Sequence, residues 1–214
     1  LRSAAKNFKF VAVLSDPSRY SEILNELKEN DCTLKDGTLS QLAVDVFKRT
    51  SEYDSAIFSY LKKQCKHELS TSEVFPQTLR PTFTKIQDLR YGENPHQKAA
   101  FYRDASSKDL PSLISAKQLH GKDLSFNNIL DLNAAIEVVS EFKKAAACII
   151  KHTTPCGVAV GDNLRDAFIN AIDCDRLSAF GGIIGFNENV DESVAREIAK
   201  AGFIECIIAF GYEK

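Results

Sequence analysis

The chain has 214 residues, a formal net charge of −2, and a composition that is 44% hydrophobic and 26% charged. This length provides enough apolar material for the core of one large or two small domains, and the interspersed charges argue against a strongly basic nucleic-acid-binding or membrane-surface protein. Neither an apolar run of about eighteen residues nor a signal peptide is evident, so we expect no membrane span and a cytoplasmic location.

The terminus and the cysteines indicate what kind of chain this is. It begins with Leu1 and contains no methionine, so we expect it to be part of a longer protein. Its six cysteines are scattered and form no CxxC pair. This pattern is typical of reduced, structural thiols, and not of a disulfide framework or a zinc cluster.

Residues 1–65 predict one short strand followed by three helices. The strand is the apolar segment 11–14, and Ser15 or Asp16 followed by Pro17 predicts the start of a helix that runs to about residue 30. Apolar residues at helical spacing predict a second helix over 39–47 and a third over 53–61. Because a single strand leaves its backbone groups without partners, the rest of this first domain is expected upstream of the chain or in another chain.

Residues 66–84 read as a linker, since serine, threonine and proline interrupt the apolar pattern there. The second domain, 85–214, is predicted to begin with a polar turn at 89–97 and a short strand at 100–102. A long helix should start at Phe126, with positions 130, 134, 138 and 142 along one face. Helices are predicted near 164–172 and 191–201.

Strands of the second domain are predicted at 145–150 and 206–210, and residues 178–186 predict a turn of small residues that enters a further strand. The first is apolar throughout, as in a strand covered on both faces, and Pro155 with Gly157 predicts the turn that ends it. Strands that alternate with helices favour an α/β fold with a largely parallel sheet layered by helices.

Lys151 and His152 directly follow the first of these strands. In a parallel sheet they would lie at its carboxyl edge, where open α/β sheets bind ligands. Histidine can move a proton near neutral pH, and a partly desolvated lysine can supply positive charge or a proton. The alternative is that the pair is only solvated surface at the end of a strand.

Further polar and small residues follow other strands and turns of the second domain. An arginine can hold a phosphate with two hydrogen bonds, an asparagine can bind an amide, and an exposed Phe-Gly segment can pack on a flat heterocycle. The residues that suit these roles are Arg90, Tyr91, Asn128, Ser178, Phe180 and Gly181. His96 and His120 lack a comparable setting and favour turn or surface positions.

Familiar phosphate-loop and dinucleotide motifs are absent, and the one zinc-like pattern is incomplete. His152 with Pro155 and Cys156 is similar to the HxE and PCxxC pattern of zinc deaminases. Thr154 stands at the glutamate position, however, and Ala159 at that of the second cysteine. One histidine and one cysteine leave a tetrahedral zinc half coordinated, so we expect no metal.

Four segments together carry a family resemblance: RSAAKN at 2–7, RYGENPHQ at 90–97, KHTTPCGVA at 151–159 and SAFGG at 178–182. In this order they resemble the bifunctional purine-biosynthesis family of phosphoribosylaminoimidazolecarboxamide (AICAR) formyltransferase/IMP cyclohydrolases in its bacterial form. The resemblance implies that residues 1–65 are the C-terminal part of a methylglyoxal-synthase-like cyclohydrolase domain. It implies that residues 85–214 are the N-terminal part of a cytidine-deaminase-like formyltransferase domain.

The resemblance also implies roles for individual residues. Lys6 would belong to the cyclohydrolase site, and Lys151 with His152 would be the catalytic pair of formyl transfer. The implied substrate-binding residues are Arg90, Tyr91, Asn128, Phe180, Gly181 and Glu205. The co-substrate would be 10-formyltetrahydrofolate without a metal, and the protein would be a homodimer with formyltransferase sites across the subunit interface. A competing hypothesis is a truncated, non-catalytic nucleotide-binding or dimerisation module.

Overall fold

The computed structural model describes residues 1–65, 78–79, 81–104 and 112–213. It divides into two compact units, Leu1–Gln77 and Thr78–Lys214. Most of the predicted linker, residues 66–77, lies outside the described residues.

The first unit is helical in its described part. It contains α1 (Arg2–Lys6), a 3₁₀ turn (Pro17–Arg19), α2 (Tyr20–Glu29) and α3 (Asp36–Gln64). The turn before α2 begins as the sequence predicts, because the Asp16 carboxylate accepts a hydrogen bond from the Ser18 backbone N–H at 2.9 Å. A small core forms where Ala5, Val13, Ala43 and Val46 meet.

Two predictions for this unit are wrong. Residues 11–14 are irregular and not a strand, since the described part of the unit offers no second strand to pair with them. The helices predicted at 39–47 and 53–61 are one continuous helix of 29 residues, α3. Residues 48–52, between them, contain neither proline nor glycine, so nothing interrupts the helix there. None of the described helices is long and apolar enough to cross a membrane.

The second unit contains a mixed α/β arrangement. An antiparallel pair joins β1 (Phe83–Leu89) to β2 (Ala99–Asp104), so β1 begins inside the predicted linker. The main sheet has the order β4-β3-β5-β7, with β3 (Ala146–Lys151), β4 (Thr154–Val160), β5 (Ile183–Phe186) and β7 (Cys206–Ile208). A small parallel pair is formed by β6 (Asn189–Val190) and β8 (Gly211–Tyr212). The helices are α4 (Phe126–Ser140), α5 (Leu164–Cys174), α6 (Arg176–Ala179) and α7 (Glu192–Lys200), with a 3₁₀ turn at Leu113–Ser115.

Helices cover both faces of the main sheet. On one face Ile149 packs with Phe168 of α5 and Val194 of α7. On the other face Ile150 packs with Leu132 and Val139 of α4. Successive residues of a strand point to opposite faces, and this is why the continuously apolar β3 is buried throughout its first five residues.

The sheet differs from the prediction in its strand directions. Only β5 and β7 run parallel, whereas β3 is antiparallel to both β4 and β5. The predicted turn at Pro155 and Gly157 is also wrong, because both residues lie within β4. The strand β4 is at the edge of the sheet, where a proline without an N–H is tolerated. Gly157 is needed there for another reason, since a Cβ at this position would lie 1.9 Å from the carbonyl oxygen of Ala171 in α5.

Two further predictions need correction. The face of α4 that packs on the sheet carries Leu132, Ala135 and Val139, while Leu130 of the predicted face is 40% exposed. The last strand, β7, is half-exposed and ends at Ile208, instead of being buried through position 210.

Candidate functional site

The register of the main sheet brings several loops to one edge. Ile150 of β3 pairs with Ile183 of β5, and Ile183 pairs with Cys206 of β7. The carboxyl end of β3 therefore lies beside the amino ends of β5 and β7. Lys151 and His152 thus lie at one edge of a mixed sheet, next to the segment that leads into β5 and one strand away from the segment that leads into β7.

A two-residue turn carries His152. Lys151 pairs with Thr154, so His152 and Thr153 alone connect β3 to β4. Both have left-handed backbones, with φ of 53° and 60°, as a type I′ hairpin requires. Residues other than glycine, asparagine, aspartate and histidine rarely adopt this conformation, so Thr153 is the more strained of the two, and such strain costs about 1–3 kcal/mol per residue.

Hydrogen bonds hold this turn in place. The Thr153 N–H donates to Oδ1 of Asp131 in α4 at 2.7 Å, and the Thr153 hydroxyl donates to the carbonyl oxygen of His152 at 2.7 Å. The sequence analysis missed Asp131. A signal was present, since Asp131 follows Asn128 by three residues and thus lies on the same side of α4.

The half-buried Lys151 is directed toward the loop before β5. Its Nζ donates a hydrogen bond to the carbonyl oxygen of Phe180 at 2.9 Å. The Phe180 ring is 60% exposed and lies against the ring of Phe203, with 5.9 Å between the ring centroids. The structure therefore brings together Lys151 and Phe180, two of the predicted residues, and adds Phe203, which the sequence analysis did not identify.

The loops before β5 and β7 are joined by backbone hydrogen bonds. Gly181, with φ of 70°, donates its N–H to the carbonyl oxygen of Phe203 at 2.8 Å. Glu205 donates its N–H to the carbonyl oxygen of Gly182 at 3.0 Å. Gly181 and the exposed Glu205, both predicted site residues, are therefore held in neighbouring loops at this edge.

Arg90 and Tyr91 are in direct contact with each other. The Arg90 guanidinium lies 4.8 Å from the centroid of the Tyr91 ring, and its Nη2 donates to the Tyr91 hydroxyl at 3.1 Å. Backbone hydrogen bonds attach this pair to the start of α4, from Arg90 N–H to Leu124 and from Phe126 N–H to Tyr91.

Asn128 has a clear structural role. Its Oδ1 accepts hydrogen bonds from the backbone N–H and the hydroxyl of Ser125, both at 2.9 Å, and its own N–H donates to the Ser125 hydroxyl. This capping box starts α4. Ser178 similarly bonds Asp175 at the start of α6.

The causes that shift the pKa of the Cys206 thiol indicate which charged side chains lie near this edge of the sheet. The pKa of this thiol is raised to about 11, chiefly by burial and also by the negative charge of Glu205. The positive charge of Arg90 acts in the opposite direction, and Asp131 acts in the same direction as Glu205. Arg90, Asp131 and Glu205 therefore all lie near one thiol at the amino end of β7.

Lys6 is exposed at the end of α1, in the first unit, and so belongs to a different compact unit from the other predicted residues.

Among the described residues, no three His, Cys, Asp or Glu side chains are grouped so that they could hold a metal ion. Cys156, the one cysteine of the incomplete zinc-like pattern, donates its S–H to the carbonyl oxygen of Ile149.

Comparison with known proteins identifies relatives along the whole chain. Residues 4–214 match the family model described as the AICARFT/IMPCHase bienzyme. A bifunctional purine biosynthesis protein PurH from Acetivibrio thermocellus is 49% identical over 210 residues, which are 98% of this chain and 39% of that protein. The protein of the same name from Magnetococcus marinus is 48% identical over 215 residues, covering all of this chain and 40% of that protein.

The chain thus spans about two fifths of the length of these curated relatives. Because the family model covers nearly every residue, the chain belongs to the AICARFT/IMPCHase bienzyme family.

Proposed function

We propose that the complete protein containing this chain transfers a formyl group from 10-formyltetrahydrofolate to AICAR and then closes the formylated product to IMP. The family model and the name of both relatives support this proposal. The structural observation that carries it is the position of Lys151 and His152, at a sheet edge where loops bearing Phe180, Gly181 and Glu205 meet.

His152 acts as the general base in this proposal. The AICAR amine is a poor nucleophile because its lone pair is delocalised into the ring and the carboxamide. As its nitrogen forms a bond to the formyl carbon, the amine proton passes to the imidazole, which is exposed at the tip of the turn. Positioned acid-base catalysis of this kind contributes about 10²–10⁴-fold.

Lys151 acts on the formyl oxygen and on the departing folate nitrogen in this proposal. Addition of the amine places negative charge on the formyl oxygen, and when this intermediate collapses the bond to the folate nitrogen breaks and that nitrogen takes up a proton. The ammonium can stabilise this charge or supply the proton. Its hydrogen bond to the Phe180 carbonyl fixes where the positive charge lies before substrate binds.

The remaining residues bind substrate in this proposal. Arg90, stacked on Tyr91, holds the nucleotide phosphate, while Phe180 and Gly181 pack against the heterocycle. Asn128 and Glu205 contact the nucleotide from the start of α4 and from the loop before β7.

The rest of the proposal concerns the complete protein. The first unit belongs to a methylglyoxal-synthase-like cyclohydrolase domain with Lys6 in its site, and the second to a cytidine-deaminase-like domain. The protein works in the cytoplasm as a homodimer, and its formyl transfer requires no metal.

Two substitutions in the complete protein test the roles of catalysis and binding. His152→Ala should lower kcat for formyl transfer by about 10²–10⁴-fold, because the imidazole acts while the amine loses its proton. Arg90→Ala should chiefly raise the KM for AICAR, because a phosphate contact forms in the ground state and the transition state alike. Steady-state assays at varied AICAR separate the two effects.

The matched control is His120→Ala, which removes another exposed histidine of the same unit. Only the backbone oxygen of His120 accepts a described hydrogen bond, from Gln118, so this variant should behave like the wild type. Cyclohydrolase activity should survive all three changes. Near-normal formyl-transfer turnover in His152→Ala would remove the base from the mechanism. A wild-type protein that binds AICAR without formyl transfer would favour the non-catalytic module.

A further inference from the structure

The turn that carries His152 has an unfavourable sequence for its shape. Type I′ turns favour Asn-Gly because both central residues need positive φ. Here the two residues are histidine and threonine, and threonine is β-branched, which makes a left-handed backbone especially unfavourable. Besides the local bond from the Thr153 hydroxyl to the His152 carbonyl oxygen, a contact from outside the hairpin can provide the further stabilisation that this conformation needs.

Asp131 supplies that stabilisation. In a two-residue hairpin the N–H of the second turn residue points away from the strand ladder and has no partner within it. The Asp131 carboxylate accepts this N–H from Thr153 at 2.7 Å, and a hydrogen bond to an ionised acceptor is stronger than one between neutral groups. The bond connects residues 22 positions apart, so it is a tertiary contact and not part of the local turn.

The position of the carboxylate is itself fixed by the core. The next residue of α4, Leu132, is 4% exposed and packs in the same cluster as Ile150, which directly precedes Lys151. The helix and the strand that ends in the turn thus share one packed interior. A carboxylate on a rigid helix can define the position of the turn much more narrowly than a residue on a loop.

We propose that Asp131 is a positioning residue for the Lys151–His152 pair. Its carboxylate holds the left-handed turn through the Thr153 N–H and so aims the His152 imidazole at the sheet edge. Asp131 does not itself contact the reacting atoms. The catalytic part of this inference rests on the proposed function, whereas the part that concerns the turn does not.

Three variants of the complete protein test the proposal. Asp131→Ala removes the acceptor and should lower kcat for formyl transfer by about 10–100-fold, since a displacement of about 1 Å can cost this much. The KM for AICAR should change by less than about threefold, because the binding residues remain. Asp131→Asn keeps an acceptor oxygen and should recover most of the lost turnover.

The double variant Asp131→Ala/Thr153→Gly provides the sharpest test. Glycine adopts positive φ without strain, so the turn should re-form without the carboxylate, and kcat should recover at least about tenfold relative to Asp131→Ala. If the double variant and Asp131→Asn were both as slow as Asp131→Ala, the carboxylate would act through its charge and the positioning role would be wrong. Near-wild-type turnover in Asp131→Ala would also overturn it.

A measurement independent of activity separates this proposal from the proposed function. In NMR spectra the Thr153 amide proton and the His152 imidazole resonances should shift in Asp131→Ala, and the imidazole resonances should return in the double variant. Unchanged resonances in Asp131→Ala would refute the inference even in an active enzyme. A wild-type protein without formyl transfer would refute the proposed function. The NMR resonances would still test whether Asp131 stabilises the turn.

Discussion

Replacing Gly157 by alanine should destabilise the second unit, because β4 approaches α5 too closely for a side chain. The added Cβ would lie 1.9 Å from the Ala171 carbonyl oxygen, 2.9 Å from its carbon and 3.3 Å from the Cys174 Cβ. A carbon atom normally stays at least about 3.3 Å from a carbonyl oxygen, so about 1.4 Å must come from movement of backbone against backbone. Neither a strand nor a helix can supply this by rotating a side chain.

The size of the effect follows from the cost of overpacking. Extra methylenes in a packed interior cost about 1–3 kcal/mol, occasionally more, and a clash between backbones belongs at the upper end. We expect a loss of about 3 kcal/mol in the free energy of unfolding, which lowers the thermal midpoint of a unit of this size by about 10 °C. Circular dichroism during heating measures this shift.

The control is Gly37→Ala in α3. A Cβ at this position meets nothing within 4 Å, and alanine favours a helix over glycine by about 0.5–1 kcal/mol. This variant should therefore be as stable as the wild type or slightly more so. If Gly157→Ala unfolded within about 1 °C of the wild type, the close contact between β4 and α5 would not exist as described.

Two further predictions concern titration and reactivity. The backbone N–H of Val194 and the Ser193 hydroxyl donate to the Asp191 carboxylate and hold its pKa below its usual range. The stabilisation from this cap is therefore complete above the unfolded pKa and is lost as the pH falls through the lower folded pKa. The stability advantage of the wild type over Asp191→Asn should accordingly shrink below about pH 4 in unfolding experiments. Burial raises the pKa of Cys148 to about 12 and that of Cys206 to about 11, so iodoacetamide at pH 8 should label the exposed Cys32, Cys65 and Cys174 first. Peptide mapping by mass spectrometry measures the order, and early labelling of Cys148 would contradict its burial.

Elements with a strong local signal could be predicted from the sequence. The strand β3 is apolar at every position but its last, and the side chains of Ser125 and Asp191 cap the first turns of α4 and α7. The turn at His152 could not be predicted from local preference, because neither residue favours it. Pro155 and Gly157 gave a false signal, since an edge strand and a close helix contact explain them as well as a turn does.

At the candidate site, too, some residues can be predicted from the local sequence, whereas others come together only through tertiary contacts. The family resemblance predicts Lys151, Phe180, Gly181 and Glu205 as site residues. The bond from Lys151 to the Phe180 carbonyl and that from Gly181 to the Phe203 carbonyl are contacts that motifs alone do not give. Asp131 acts through a hydrogen bond across 22 residues, and Phe203 through a ring contact with Phe180. Contacts of this kind depend on sheet register, which a pattern of apolar residues does not determine uniquely.

The order β4-β3-β5-β7 has a consequence for how the site forms and opens. The hairpin that carries His152 joins two strands that are adjacent in the chain, and β-hairpins form within about 1–10 μs. The strand β7 has three half-exposed residues and, within the described part of the chain, pairs with β5 alone. We therefore expect β7 to exchange its amide hydrogens faster than β3, by local opening that releases Glu205 and Phe203 while the Lys151–His152 hairpin stays folded. Substrate that bridges these loops would slow this exchange, so protection at Cys206 and Ile207 would report occupancy without any turnover.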